Sequence, residues 1–307
     1  MLGRSHPNAP NTEDDMAVHP DTTTLSTQDG TKIAVHVWPA PEPRGVLQLT
    51  HGMGEHALRY GELATTLNAS GWTVVAQDHR GHGASAGSAE ELGQLGADGW
   101  AAVVDDIAVV REMAVDLAPG KPLVLFGHSM GSFAVQQFLP EHSDQVDGVV
   151  LTGTAALDLL EPALDLEADL DLAMFNAPFA PARTDFDWLS RDEERVDAYV
   201  ADPLTGFGLD IPGTKGLFAG ARRLADPDAL DDVRHHLPIW IAVGDSDPVN
   251  AGLALVQPVL ERYRAAGLSD VRLEVYEGAR HELTNETNRQ DFMVDLILWL
   301  DTHFPAR

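Results

Sequence analysis

The sequence predicts an α/β protein, a mostly parallel, doubly wound sheet carrying a helical insertion, and three observations lead there. From residue 46 onward short apolar runs alternate with segments of helical spacing, the pattern of strand and helix units that lay parallel strands side by side. One junction in that series is Gly127-His128-Ser129-Met130-Gly131, set between the apolar run 123–126 and a helical segment at 132–139. The series then breaks between residues 154 and 236, a stretch heavy in Asp, Pro and Leu, and resumes at residue 239.

Taken in order, residues 1–24 contain Pro7, Pro10 and Pro20 among polar residues, with no apolar core of a signal peptide, and are expected to be a disordered tail. Order should begin at 31–38, whose period-two alternation reads as a half-buried strand entered through a turn at Gly30 and ended by the Pro39 to Pro43 cluster. A strand at 46–50 leads through His51-Gly52-Met53-Gly54-Glu55-His56 into a helix at 60–70, closed by Gly71. The strand 73–76 leads through Asp78-His79-Arg80-Gly81-His82-Gly83 and a loop into a helix at 100–117. After the 123–126 strand come strands at 149–151, 239–243 and 271–276. A last helix runs to residue 300, with Asn288 as its cap and Phe292, Leu296, Trp299 and Leu300 as its buried stripe. The expected organisation is a core of residues 25–153 and 237–307, with 154–236 as a helical cap above the carboxyl ends of the strands, where ligands bind in such sheets.

Charge narrows the partners. The 307 residues carry 20 Lys+Arg against 48 Asp+Glu, a formal net charge of −28, with lysine only at 32, 121 and 215. Such a surface repels phosphate backbones and anionic headgroups, so nucleic acid is not an expected partner. No apolar run is long enough for a transmembrane segment, and cytoplasmic localisation is the expectation. The chain has no cysteine, which removes disulfides, thiolate chemistry and Cys-based zinc sites. His51, His56, His79 and His82 lack metal-ligand spacing and read as loop-packing residues; no metal and no cofactor is expected. No feature of the sequence sets an oligomeric state.

The chemistry centres on Ser129. G-x-S-x-G between a buried strand and a helix is a nucleophile elbow, a strained turn that needs small residues at Gly127 and Gly131 and aims a helix N-terminus at the serine. A serine hydroxyl is a weak nucleophile at neutral pH, so a base must take its proton and an acid must orient the base. In this arrangement the chain order is serine, acid, histidine. His281, just past the 271–276 strand, is the late histidine in the right place, whereas His303 lies beyond the last helix. The acid must come from Gly244-Asp245-Ser246-Asp247-Pro248, which offers two aspartates; Asp245 reads more readily as a loop cap. The oxyanion needs backbone N–H groups from the residue after the nucleophile and from an earlier strand-to-helix loop, positions held by Met130 and Met53, the latter flanked by Gly52 and Gly54.

With these motifs in place the chain resembles the monoacylglycerol lipase and lysophospholipase-like serine hydrolases of the α/β-hydrolase fold, the serine aminopeptidase S33 group. HGMGEH at 51–56 followed by Arg59-Tyr60, DHRGHG at 78–83 with Ser85 and Gly87, GHSMG at 127–131, GDSD at 244–247 and YEGARHE at 276–282 occur in that group's order. With Asp202-Pro203-Leu204 the resemblance extends from about residue 28 to the C-terminus. It implies Asp247 as the acid, His281 as the base and Met53 and Met130 as oxyanion donors. Two departures stand out: Ser132, where a second glycine is commoner, and the acidic character of 155–181.

The resemblance implies a carboxylic ester hydrolase working through an acyl-Ser129 intermediate, on a small-molecule ester such as a monoacylglycerol. Leu157, Leu159, Leu160, Leu164, Leu166, Leu170, Leu172, Met174 and Phe175 are expected to line the acyl site. The alternative is an aminopeptidase or amidase in which Glu161, Asp165 or Glu167 holds a substrate amine. Epoxide hydrolase or dehalogenase chemistry would need a carboxylate at the elbow, where this chain has Ser129.

Overall fold

The computed structural model describes residues 19–306. Its centre is an eight-stranded sheet in the order β1-β2-β4-β3-β5-β6-β7-β8. The strands are β1 (Asp21–Ser26), β2 (Lys32–Trp38), β3 (Gly45–Thr50), β4 (Trp72–Gln77), β5 (Leu123–His128), β6 (Gly148–Thr152), β7 (Ile239–Gly244) and β8 (Val271–Tyr276). From β4 through β8 every pairing is parallel, while β1 and β2 join antiparallel. The protein has the α/β-hydrolase fold.

The middle strands are apolar at nearly every position because helices cover both faces. Side chains alternate across the sheet with period two. Leu123 and Leu125 of β5 and Ile239 and Ile241 of β7 join one core cluster. Val124 and Phe126, with Trp240 and Ala242, join the other. The first cluster is covered by α2 (Gly99–Leu117), α3 (Met130–His142) and α7 (Gln257–Ala265). The second is covered by α1 (Gly61–Ala69) and α8 (Arg289–His303). The expected stripe of α8 is buried as read, with Met293 added. Asn288 stands at its N-cap position, but its side chain makes no cap and accepts a hydrogen bond from Arg191 instead, at 2.9 Å.

The tail reading needs a correction at its end. Residues 1–18 lie outside the described residues, but residues 21–24, assigned to a disordered tail, form β1 on the sheet edge together with Leu25 and Ser26. This strand is almost wholly exposed, so it carries no hydrophobic pattern, and its stability comes from its ladder to β2 through the turn at Gly30.

Between β6 and β7 the chain leaves the sheet. It makes a single helical turn, α4 (Leu157–Leu160), tight 3₁₀ turns at Glu161–Ala163, Leu172–Phe179 and Asp187–Leu189, and then α5 (Glu193–Ala201) and α6 (Ile211–Leu224). Arg262 of α7 clamps Asp158 with two hydrogen bonds of 2.8 and 2.7 Å, and Leu217 and Phe218 of α6 pack into the first core cluster. Among the described residues no helix is long and apolar enough to cross a membrane.

Candidate active site

The site lies where β3 and β5, adjacent in the sheet, send the chain to opposite sides, the switch point at which open parallel sheets bind ligands. Ser129 sits there at φ 50 and ψ −120, a conformation that favours glycine and marks local strain. Long-range contacts hold it: the Ser129 N–H donates to the Thr152 carbonyl at 2.9 Å. The two elbow glycines are sterically required. A Cβ on Gly127 would stand 2.7 Å from the Ser132 Cα, and one on Gly131 would run into the Thr50 and His51 carbonyls. Ser132, the departure noted above, reinforces the turn. Its hydroxyl donates to the Ser129 carbonyl at 2.7 Å and lies 3.0 Å from Thr154 Oγ1.

His281 follows β8 and is 2 % exposed; its Nδ1–H donates to Asp247 Oδ2 at 2.9 Å. That bond fixes the tautomer and leaves Nε2 as an acceptor, and Nε2 has no partner among the described residues. Asp247 is itself oriented, its Oδ1 accepting the Val249 N–H at 2.9 Å. Asp245 instead accepts the Gly278 N–H at 2.8 Å and joins the two loops, as its reading as a cap suggested. Burial lowers the His281 pKa, but the Asp247 charge and hydrogen bond, helped by Glu282 and Glu55, outweigh it and leave the imidazole above its ordinary value. His128 is pushed well below the ordinary value by burial, with His281 and Arg59 adding repulsion, so it stays neutral.

The loop after β3 approaches Ser129 closely: a Cβ on Gly52 would be 3.1 Å from the Ser129 Cβ. Glu55 Oε1 accepts the Gly52 N–H at 2.5 Å and the Tyr60 hydroxyl at 2.8 Å. Arg59 bridges Glu55 and Glu282, at 2.5 Å to the first and 2.6 and 2.7 Å to the second. Burial raises the Glu55 pKa against the pull of Arg59; Glu282, gripped by both guanidinium nitrogens, is lowered despite its burial. Glu55, His128 and Glu282 converge as three ligand atoms would, yet Arg59 already supplies the positive charge and would repel a cation. Met130 N–H, at the first position of α3, has no acceptor within its helix, and Met53 follows Gly52 on the loop beside Ser129.

Above these groups opens a cavity of about 610 Å³, including its mouth. It brings together Met53, Ser129, Met130 and His281 with Leu157, Leu160, Leu164 and Phe175. Met174 is a correction. It is 42 % exposed and does not line the cavity, because in the tight turn of 172–179 residues three apart eclipse, so Leu172 and Phe175 face inward together and Met174 does not. The acidic cap residues also face away. Glu161 pairs with Arg222 at 2.6 Å, Glu167 with Lys215 at 2.7 Å, and Asp165 accepts the Glu167 N–H, none of them in the cavity wall. Leu170 and Leu172 also line that wall, Leu159 and Leu166 do not, and sequence reading missed Trp188 and Tyr199 there. The apolar pair Trp188-Leu189 inside a polar, acidic segment was the available signal.

Residues 41–288 match the family described as serine aminopeptidase, S33. The chain belongs to this family. It is 33 % identical over 281 residues to a monoacylglycerol lipase of Mycolicibacterium smegmatis, a match covering 89 % of this chain and 94 % of the relative. It is 31 % identical to a monoglyceride lipase of Homo sapiens, over 85 % of this chain and 84 % of the relative. Among solved structures, a thermostable carboxyl esterase from Bacillus coagulans superposes with a TM-score of 0.82 at 25 % identity, covering 93 % of this chain and 99 % of that one. The family match spans β3 to β8 and the segment between β6 and β7.

Proposed function

We propose that the protein is a serine carboxylic ester hydrolase of monoacylglycerol-like esters, with residues 154–236 as the cap over its acyl site. The observation that carries this reading is the convergence of Ser129 and the His281–Asp247 pair on one cavity whose other wall is leucine and phenylalanine. The Ser129 oxygen attacks the ester carbonyl as its proton passes to His281 Nε2. The oxyanion that forms takes hydrogen bonds from the Met53 and Met130 N–H groups, near the positive end of α3. The tetrahedral adduct collapses, the carbon–oxygen bond to the alcohol breaks, and the His281 proton goes to the departing alkoxide. Water, deprotonated by His281, then attacks the acyl-serine; the adduct releases a carboxylic acid and returns the proton to Ser129.

Leu157, Leu160, Leu164, Leu172 and Phe175 suit an acyl chain, while Glu55, Tyr199 and Glu282 make the remaining wall polar and suit an alcohol bearing hydroxyls. An amine-binding reading finds less support, since both inward carboxylates, Glu55 and Glu282, are already paired with Arg59. The test is turnover of p-nitrophenyl esters of graded chain length, monoacylglycerols and aminoacyl arylamides, alongside fluorophosphonate labelling. The expected result is labelling at Ser129, loss of turnover by about 10³-fold or more in Ser129→Ala, and a preference for medium over short acyl chains. Efficient arylamide cleavage with a flat chain-length profile would overturn the ester assignment.

A further inference from the structure

Two aromatic rings touch the His281 imidazole, and the mechanism uses neither. One is His128, with ring centroids 4.8 Å apart; the other is Trp188, at 4.9 Å and tilted by 45°. Trp188 also packs on Phe175 at 5.1 Å, and it lines the cavity.

Trp188 is held to the loop of His281 as well as to the cap. Its backbone N–H donates to Asn176 Oδ1 at 2.9 Å. On either side of it the chain is bonded to the loop that carries His281. The Glu282 N–H donates to the Leu189 carbonyl at 2.8 Å, the Arg280 guanidinium to the Ser190 carbonyl at 3.0 Å, and the Ser190 hydroxyl to the Asn285 carbonyl at 2.8 Å. Arg191 completes the attachment by donating to the buried carboxylate of Glu286. By contrast, Glu161 and Glu167 reach α6 only through ion pairs near the surface, which hold weakly.

The indole N–H of Trp188 is buried and has no acceptor among the described residues. A phenylalanine or leucine would fill an apolar wall without that unpaired donor. What tryptophan adds is the strongest π face available to a cation, and the imidazole lies within the reach of about 6 Å over which that attraction acts.

We propose that Trp188 is a positioning residue for His281, its ring stabilising the imidazolium that forms as Ser129 gives up its proton and keeping water from the base. The proposal rests on His281 being that base. The other groups around His281 are Asp247 at Nδ1, Glu282 next in the chain, Glu55, and neutral His128, on which Arg59 acts. These remain in place when Trp188 is changed, so a shift in the titration of His281 reports on the indole.

The experiment compares Trp188→Phe and Trp188→Leu with the wild type on one medium-chain p-nitrophenyl ester across pH. The expected order of kcat is wild type, then Phe, then Leu, with Phe within about threefold of wild type and Leu lower by roughly three- to thirtyfold. KM should change less than kcat, and the acid limb of kcat/KM should move to lower pH in the same order, because the cation loses support. Leu equal to Phe in both kcat and acid limb, or losses confined to KM, would overturn the proposal and leave Trp188 as wall only. Ser129→Ala is measured in parallel. Persistent turnover there would bring down the reading of the site itself, whereas lost turnover with unordered Trp188 variants brings down this inference alone.

Discussion

At the scale of single residues the site separates two aspartates that stand two positions apart. Asp247 is buried against His281 Nδ1, whereas Asp245 caps the Gly278 loop. Asp247→Asn should lower kcat by about 10⁴-fold, because an amide cannot hold the imidazole in the tautomer that leaves Nε2 free. Asp245→Asn should cost no more than a few-fold, and steady-state kinetics of the two variants decides the ranking. The raised His281 pKa sets a second expectation. The base must be neutral to accept a proton, so kcat/KM should fall tenfold per unit below that pKa, and the acid limb should lie above the ordinary histidine value of about 6.5. A pH profile of the wild type, with the limb lost along with activity in His281→Ala, tests it.

At the scale of elements, the strand-to-helix turn and the cap shape the site by different means. The elbow is steric: Gly131 lies against the Thr50 and His51 carbonyls, so β3, β5 and α3 meet with no room for a methyl group. Gly131→Ala should destabilise the fold by about 1–3 kcal/mol or more and displace the oxyanion donors. Urea unfolding read beside turnover shows both effects. The cap acts through apolar contact. If Leu160 and Leu164 face the acyl chain, each methylene contributes up to about 0.8 kcal/mol until the space is full. Leu164→Trp should therefore shift the optimum to shorter esters while leaving the shortest ester nearly unaffected. A chain-length series on this variant reads the shift.

For the whole molecule the buried histidines set the response to acid. Burial holds His79 at about 3 and His82 at about 4, and His51 and His128 are also lowered. Between these values and the unfolded value of about 6.5, the unfolded chain binds protons that the folded one refuses, so stability falls as pH drops through that window. His281 has the opposite sign: its raised pKa adds stability that is present below the unfolded value and lost as pH rises through the folded one. The four lowered histidines outweigh the raised groups His281 and Glu55 on the acid side. The melting temperature should thus decline steadily from pH 6.5 to 4, before the carboxylates Asp78 and Glu282, held low in the fold, begin to protonate. A melting temperature flat over that range contradicts this account.

Much of the protein was legible in local pattern because the physics there is local. Alternating apolar runs fixed the parallel strands, and the requirement for small residues around a strained serine marked Ser129 without reference to the rest of the chain. A histidine just past a strand could be read in the same way. What tertiary structure decided depends on partners distant in sequence. β1 has no buried face and exists only through its ladder to β2. Asp245 and Asp247 share one loop and one chemistry, and the position of the loop after β8 gives them different partners. Met174 and Phe175 are adjacent and both apolar, but the tight turn sends only Phe175 inward. Glu167 and Glu161 of the cap turn outward to Lys215 and Arg222 of α6, 48 and 61 positions away in the chain. Trp188 meets His281 across 93 residues of chain, a proximity that no spacing or periodicity encodes.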